Sequence, residues 1–254
     1  MTGRLSVVGL GPGNTRQLTP EAEAIVSGAQ VLFGYGPYLD RVAARPGQRR
    51  QPSDNRQELQ RAEQALTAAA AGETVAIVSG GDPGVFGMAA AVCEALDRGP
   101  PAWRNVELAI VPGISAMLAV AARVGAPLGH DFCAISLSDN LKPWEVVEQR
   151  LGAAAAAGFV IALYNPISRA RPWQLERAFA SLAAILPGTT PVIFGRAVGR
   201  QDERIAITQL SAAQSNAADM ATCIIVGSAE TRLIERPGGG PLVYTPRGTA
   251  RAIA

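Results

Sequence analysis

Three loops rich in glycine and proline, each leaving the end of an aliphatic run, constrain this chain more than any other feature. The first is Val7-Val8-Gly9-Leu10-Gly11-Pro12-Gly13-Asn14. The second is Ser79-Gly80-Gly81-Asp82-Pro83-Gly84-Val85-Phe86-Gly87, which follows Thr74-Val75-Ala76-Ile77-Val78. The third is Val111-Pro112-Gly113-Ile114-Ser115-Ala116, which follows Leu108-Ala109-Ile110. Glycine lets main chain approach a neighbour closely, and proline stiffens the turn that brings it there. Short aliphatic runs ending in such turns read as buried strands of an α/β sheet. Ligands bind in such sheets beyond the carboxyl ends of the strands. The pattern implies a preformed site lined by main chain.

Familiar nucleotide motifs are excluded. Gly9-Leu10-Gly11 begins like a dinucleotide fingerprint, but its third glycine would fall on Asn14. Pro12 has no N–H to offer a phosphate. The second aliphatic run, Gln30-Val31-Leu32-Phe33-Gly34-Tyr35, does not end in an acidic residue for a ribose hydroxyl. No Gly-Lys-Ser/Thr sequence occurs, so a P-loop is absent.

The chain's 254 residues are enough for one large domain or two small ones. A hydrophobic content of 48% with 17% charged residues describes a globular protein, and the apolar runs are too short to span a bilayer. No charged segment leads into an apolar signal stretch, so a cytoplasmic protein is expected. His130 is the only histidine, and Cys93, Cys133 and Cys223 are far apart, so no metal site is expected. A net charge of +2 gives no pointer to nucleic acid. Lys142 is the only lysine among 23 basic residues. Arginine forks suit bidentate binding of carboxylates, although a GC-rich coding bias would give the same composition.

Strands are expected at 4–9, 29–34, 73–78 and 106–111. Helices are expected at 19–27, 54–71, 85–97 and 115–124, with Thr19 capping the first and Ser53 or Asp54 the second. The alternation argues a parallel α/β sheet. Gly125-Ala126-Pro127-Leu128-Gly129 interrupts it, giving an N-terminal α/β domain over 1–124 and a C-terminal α/β domain over 125–254. The second half repeats the alternation, with strands at 132–137, 158–163, 191–195, 204–208 and 222–227. Its helices are expected at 143–156 and 172–185. Pro237-Gly238-Gly239-Gly240-Pro241 reads as a loop.

As a set, the loops resemble those of the tetrapyrrole methylase family, the class III S-adenosylmethionine (SAM) methyltransferases of corrin and sirohaem synthesis. The resemblance extends over nearly the whole chain. Four further segments are similar to one branch of the family. They are Phe33-Gly34-Tyr35-Gly36-Pro37-Tyr38, Ile135-Ser136-Leu137-Ser138-Asp139, Pro143-Trp144-Glu145-Val146 and Leu163-Tyr164-Asn165-Pro166. That branch methylates C17 of precorrin-3B and contracts the ring to give precorrin-4, in cobalamin biosynthesis.

The resemblance implies two α/β domains with a ligand cleft, SAM as cofactor, S-adenosylhomocysteine as product, a precorrin substrate and a homodimer. It places Pro12, Gly80, Gly81, Asp82, Val85, Ser115, Ala116, Asn165 and Val198 against SAM. Asp82, before a proline, could equally hold a turn. Arg169, Arg171 and Tyr35 are the candidates for the substrate, because loops at strand ends face the ligand. Methyl transfer from a sulfonium needs orientation more than a strong base. Ring contraction would gain from a base. Histidine titrates nearest neutrality, which nominates His130, although a linker histidine with a structural hydrogen bond would read the same. Asp82 is a separate catalytic candidate, and Asp131, Asp139, Tyr35 and Tyr38 are further nominees for the base. A cobalt-containing substrate, a sister methylase acting at another carbon, and a non-catalytic SAM-binding module remain alternatives.

Overall fold

The computed structural model describes residues 3–248. The chain divides into two compact units, Met1–Ala116 and Met117–Ala254, ahead of the 124/125 boundary expected from the glycine-rich break. The outermost ends of the two expected domains, 1–2 and 249–254, lie outside the described residues.

The first unit is a five-stranded parallel sheet flanked by helices. Its elements are β1 (Arg4–Gly9), α1 (Pro20–Gly28), β2 (Val31–Tyr35), α2 (Gly36–Leu39) and β3 (Arg49–Ser53). They continue with α3 (Glu58–Ala70), β4 (Thr74–Ser79), α4 (Met88–Arg98) and β5 (Glu107–Val111). Strand order is β3-β2-β4-β1-β5, with every pairing parallel. β1, β2 and β4 are apolar on both faces because helices cover both sides. Leu5, Val7, Phe33 and Ile77 pack with Leu66 of α3 and Val92 of α4 on one face. Val8, Leu32 and Val78 pack with Ala22 and Val26 of α1 on the other. Helix α1 starts as expected, with the Thr19 hydroxyl accepting from the Ala22 amide at 3.1 Å and Pro20 at its first position.

Helix α3 starts later than expected. Ser53 belongs to β3, a polar edge strand that hydrophobic periodicity does not reveal, and Gln57 precedes the helix with no side-chain cap. The Ser53 hydroxyl instead accepts from Arg61 Nε at 2.6 Å, and Arg61 Nη2 donates to the Asp54 carbonyl at 2.9 Å. Arg61 is thus buried with its polar contacts met by neutral groups, and burial lowers its pKa from the ordinary value.

The second unit takes most of α5 (Ala116–Val124). It continues with β6 (Gly125–Ala126), β7 (Phe132–Ser136), α6 (Trp144–Ala156), β8 (Val160–Tyr164) and α7 (Gln174–Ala183). β9 (Pro191–Arg196), β10 (Arg204–Gln209), β11 (Thr222–Val226), β12 (Arg232–Arg236) and β13 (Gly239–Tyr244) complete it. Its main sheet has the order β10-β9-β11-β8-β7. Only β7 and β8 are parallel; the pairs β8–β11, β11–β9 and β9–β10 are antiparallel. The expectation of a parallel sheet therefore holds for the first unit and is corrected here. Helices α6 and α7 pack on one face through Val147, Leu151, Leu175 and Leu182. On the other face Val120 of α5 sits against Gly195, where an added Cβ would come within 2.2 Å of its side chain. That contact assigns α5 to the second unit.

The segment 237–241 is a hairpin rather than a loop. Gly238 turns the chain at φ 76°, β13 begins at Gly239, and β13 pairs in parallel with β6. The Thr245 hydroxyl donates to the Pro127 carbonyl at 2.6 Å, tying the chain after β13 to the chain after β6.

Candidate functional site

The three glycine-rich loops follow β4, β1 and β5, which are neighbours in the sheet, so their carboxyl ends lie side by side. The loops interlock through main chain. Gly11 and Gly81 exchange two hydrogen bonds, with N···O distances of 3.1 and 2.9 Å, and the Leu10 amide donates to the Ser79 carbonyl at 2.8 Å. A Cβ on Gly113 would lie 2.3 Å from the Gly81 carbonyl oxygen, and one on Gly9 would lie 2.7 Å from the Gly113 nitrogen. Glycine is required at both positions for the loops to touch. At Gly81 the requirement is conformational: φ is 68°, and an added Cβ would meet Ser115 Cα and the Ala116 nitrogen at an ordinary 3.8 Å. A methyl group there would fill space between the second loop and the start of α5.

Asp82 joins two loops. Its Oδ1 accepts from the Gly84 amide at 2.8 Å, forming the turn, and its Oδ2 accepts from the Gly113 amide at 3.0 Å. Both carboxylate oxygens are thereby engaged by main chain, which accounts for Asp82 as the anchor of the second and third loops. Val85 is half-buried, and its amide faces the Asp82 carbonyl at 3.3 Å. Pro12 and Ser115 are buried, and Ala116 is half-buried where it opens α5. Phe86 is half exposed with φ 53°, a conformation unfavourable for a bulky side chain, and no sequence signal marks it.

The chain after β2 lies over these loops. An added Cβ on Gly80 would lie 2.6 Å from Cζ of Tyr38, so the phenol ring rests on the second loop. Tyr35 meets Tyr38 edge to face, with centroids 5.4 Å apart.

In the second unit, Asn165 follows β8 with φ 52°, a conformation asparagine tolerates, and its Nδ2 donates to Ser136 Oγ at 3.0 Å. The Tyr164 hydroxyl accepts from the Met117 amide in the first turn of α5 at 3.0 Å. Val198 is buried in the turn after β9, where the Gly199 amide donates to Glu203 Oε2 at 2.7 Å. Arg123 Nε donates to Glu203 Oε1 at 2.5 Å. That bond, with the Gly199 amide, holds the Glu203 carboxyl below its usual range despite partial burial.

The two candidate substrate arginines differ. Arg169 is exposed. Arg171 is 9% exposed, in a tight turn where Ser168 and Arg171 exchange main-chain hydrogen bonds. Its Nε lies 3.9 Å from Asp139 Oδ1, and Gln174 Nε2 donates to Asp139 Oδ2 at 3.1 Å. Nε and Nη1 of Arg171 are buried without a hydrogen-bond partner. His130 is half-buried, and its Nδ1 accepts from the Asp131 amide at 2.7 Å. The ring therefore carries its proton on Nε2 in the neutral form, and the local bond must break before Nδ1 can accept a proton.

Among the described residues no cluster of histidine, cysteine, aspartate or glutamate could hold a metal ion. No helix among them is long and apolar enough to cross a membrane. Burial pushes the Cys223 thiol up to about 12 and also raises Cys133.

Three glycine-lined loops thus interlock at the carboxyl edge of a parallel sheet. Residues 4–214 match the model of the tetrapyrrole (corrin/porphyrin) methylases, and the chain belongs to that family. It is 67% identical over 252 residues to a Sinorhizobium protein named precorrin-3B C(17)-methyltransferase, covering 99% of each chain. It is 40% identical over 245 residues to a Salmonella typhimurium protein named probable cobalt-factor III C(17)-methyltransferase, covering 96% of this chain and 98% of that one. A crystal structure of the methyltransferase CobJ superposes with a TM-score of 0.92 at 48% identity, covering 96% of this chain and 100% of the other.

Proposed function

We propose that this chain is a SAM-dependent methyltransferase that methylates C17 of precorrin-3B with ring contraction to precorrin-4, in cobalamin biosynthesis. The similarity to the Sinorhizobium enzyme over the full length of both chains carries the reading. The higher identity to that relative than to the cobalt-factor III relative favours the metal-free substrate.

The residues present fit SAM. The loops form a glycine-lined edge at the carboxyl ends of three strands, and the space beside Gly81, Ser115 and Ala116 would accept one further methyl-sized group. SAM supplies an electrophilic methyl group for in-line displacement when bound. Pro12, Gly80, Gly81, Val85, Ser115 and Ala116 would hold it, Asp82 fixes the loops that do so, and the family resemblance adds Asn165 and Val198 as candidates. Their task is to fix the reacting geometry and keep water out rather than to supply a base. Arg169, Arg171 and Tyr35 bind the tetrapyrrole, whose carboxylates suit guanidinium forks. The unmet donors of Arg171 give a carboxylate a reason to enter its turn. His130, once released from Asp131, relays the proton lost in ring contraction. The assembly is a homodimer, which sedimentation of the purified protein checks.

The test is incubation with precorrin-3B and SAM. S-adenosylhomocysteine should be released, and the product should show one added methyl by mass and a contracted ring by absorption. SAM binding without turnover would make the chain a sensor. Methylation without contraction, or at another carbon, would place it in a sister branch.

A further inference from the structure

Arg41 lies in the segment between α2 and β3 and is marked by neither composition nor motif. Its Nη2 donates to two carbonyls of the first glycine-rich loop, Gly11 at 2.8 Å and Leu10 at 3.2 Å. Its guanidinium stands 5.8 Å from the centroid of the Tyr38 ring, and that ring rests on Gly80 of the second loop. Arg41 therefore touches one cofactor-loop candidate directly and the other through Tyr38. The segment that carries it is itself anchored. Arg50 of β3 donates from Nη1 to the Val42 carbonyl at 3.0 Å and from Nη2 to the Leu39 carbonyl. The side chain thus approaches the loop from a fixed base.

The first loop needs such a brace. Gly11 has φ 65°, and Pro12 can donate no main-chain hydrogen bond. The exchange with Gly81 engages the Gly11 amide and one lone pair of its carbonyl, leaving the carbonyl's second lone pair for another donor. The Gly11 carbonyl accepts from both the Gly81 amide and Arg41, so the two contacts fix the peptide plane between Gly11 and Pro12 from two directions. We infer that Arg41 is a positioning residue for the methyl-donor site, holding the Leu10–Pro12 main chain in its binding-competent orientation without touching the reacting atoms. The inference rests on the proposal that the loops bind SAM, and it gives the Tyr35–Tyr38 segment a role in donor binding rather than only in substrate recognition.

Two variants separate positioning from bulk charge. Arg41→Lys keeps the charge but loses the planar fork, and Arg41→Met keeps much of the packing and loses every donor. Calorimetric titration with SAM should show a dissociation constant raised about tenfold in Arg41→Lys and more in Arg41→Met, as expected for loss of charge-assisted hydrogen bonds. KM for the tetrapyrrole and kcat at saturating SAM should stay within about twofold of wild type, since Arg41 touches neither substrate nor reacting atoms. Hydrogen exchange needs no ligand and gives an independent reading. The amides of Gly11 and Gly81 should exchange faster in Arg41→Met, with the sheet interior unchanged. Unchanged SAM affinity and unchanged exchange at these amides would overturn the inference. So would a general loss of protection, or a tetrapyrrole KM that rises as much as the SAM constant. If wild type itself fails to bind SAM, the functional proposal falls, while the exchange measurement still decides whether Arg41 braces the loop.

Discussion

In the first unit the loops after β1, β4 and β5 lock main chain to main chain, with Asp82 as the one carboxylate between them. In the second unit the turns after β8 and β9 are held by side chains: Asn165 on Ser136, Glu203 on Gly199 and Arg123, and Arg196 on Asp202 and Asp219. The difference teaches where variation is tolerated. A main-chain lock fails when a Cβ is added at Gly9 or Gly113, because the obstructing atoms are backbone and cannot rotate away. A side-chain lock loses one bond at a time, and water replaces much of it.

The largest expected effect comes from breaking the first kind of lock. Gly113→Ala puts a Cβ 2.3 Å from the Gly81 carbonyl oxygen, so the second and third loops must separate. The variant should lose about 3 kcal/mol of stability by denaturant titration, and its SAM affinity should fall at least about a hundredfold by calorimetry. Wild-type affinity would show that the loops do not form the donor site. Gly81→Ala is the sharper partner. It meets no collision but demands φ 68° of an L-residue, so a cost of about 1–2 kcal/mol is expected.

Next comes Asp82→Asn, which keeps the shape but offers an amide N–H toward Gly113 or Gly84. One main-chain donor loses its acceptor, at a cost of about 1–3 kcal/mol. SAM affinity should weaken about tenfold while kcat at saturating SAM stays within a fewfold of wild type. A collapse of kcat at unchanged affinity would make Asp82 a chemical participant.

The second kind of lock predicts a smaller loss. Arg123→Met removes the partner of a partly exposed carboxylate, and screening limits the cost to about 0.5 kcal/mol. The pH dependence has a definite sign. Glu203 titrates below its ordinary value near 4.5, so its contribution is fully present above that value and fades as pH falls through the folded one. Denaturation curves of wild type and variant should therefore differ at pH 7 and converge in acid. A gap that widens in acid would contradict the assignment.

The smallest effect is chemical. Cys93 is exposed, Cys133 is half-buried with its thiol raised, and Cys223 is buried with its thiol pushed up to about 12. Alkylation at pH 8 followed by peptide mass mapping should label Cys93 first, Cys133 slowly and Cys223 only on unfolding.

The parts of the fold visible in sequence are those whose signal is local. β1, β4 and β5 announce themselves as aliphatic runs, and α1 by the Thr19-Pro20 start. β3 is written Arg-Arg-Gln-Pro-Ser, with no apolar alternation, and its place beside β2 comes from pairing alone. β13 begins with two glycines, and its partner β6 lies far away in sequence. Strand direction in the second sheet was equally hidden, because a strand buried on both faces has the same composition in parallel and antiparallel pairs. Asp82 was legible as a turn residue, but its bond to Gly113 joins residues on different strands' loops. Arg41 carried no mark at all.

The sequence by itself determined the family, the glycine positions that main-chain contact demands, and the lack of a conventional metal motif. These follow from residue type and near-neighbour spacing, which chain chemistry fixes before folding. Only the tertiary structure decided that β4, β1 and β5 stand side by side, that Asp82 and Arg41 serve the loops, that Arg171 faces Asp139, and that α5 packs on Gly195. Each depends on which distant segments share a surface. That choice is made by burying the apolar faces of the whole unit at once, and no local pattern encodes it.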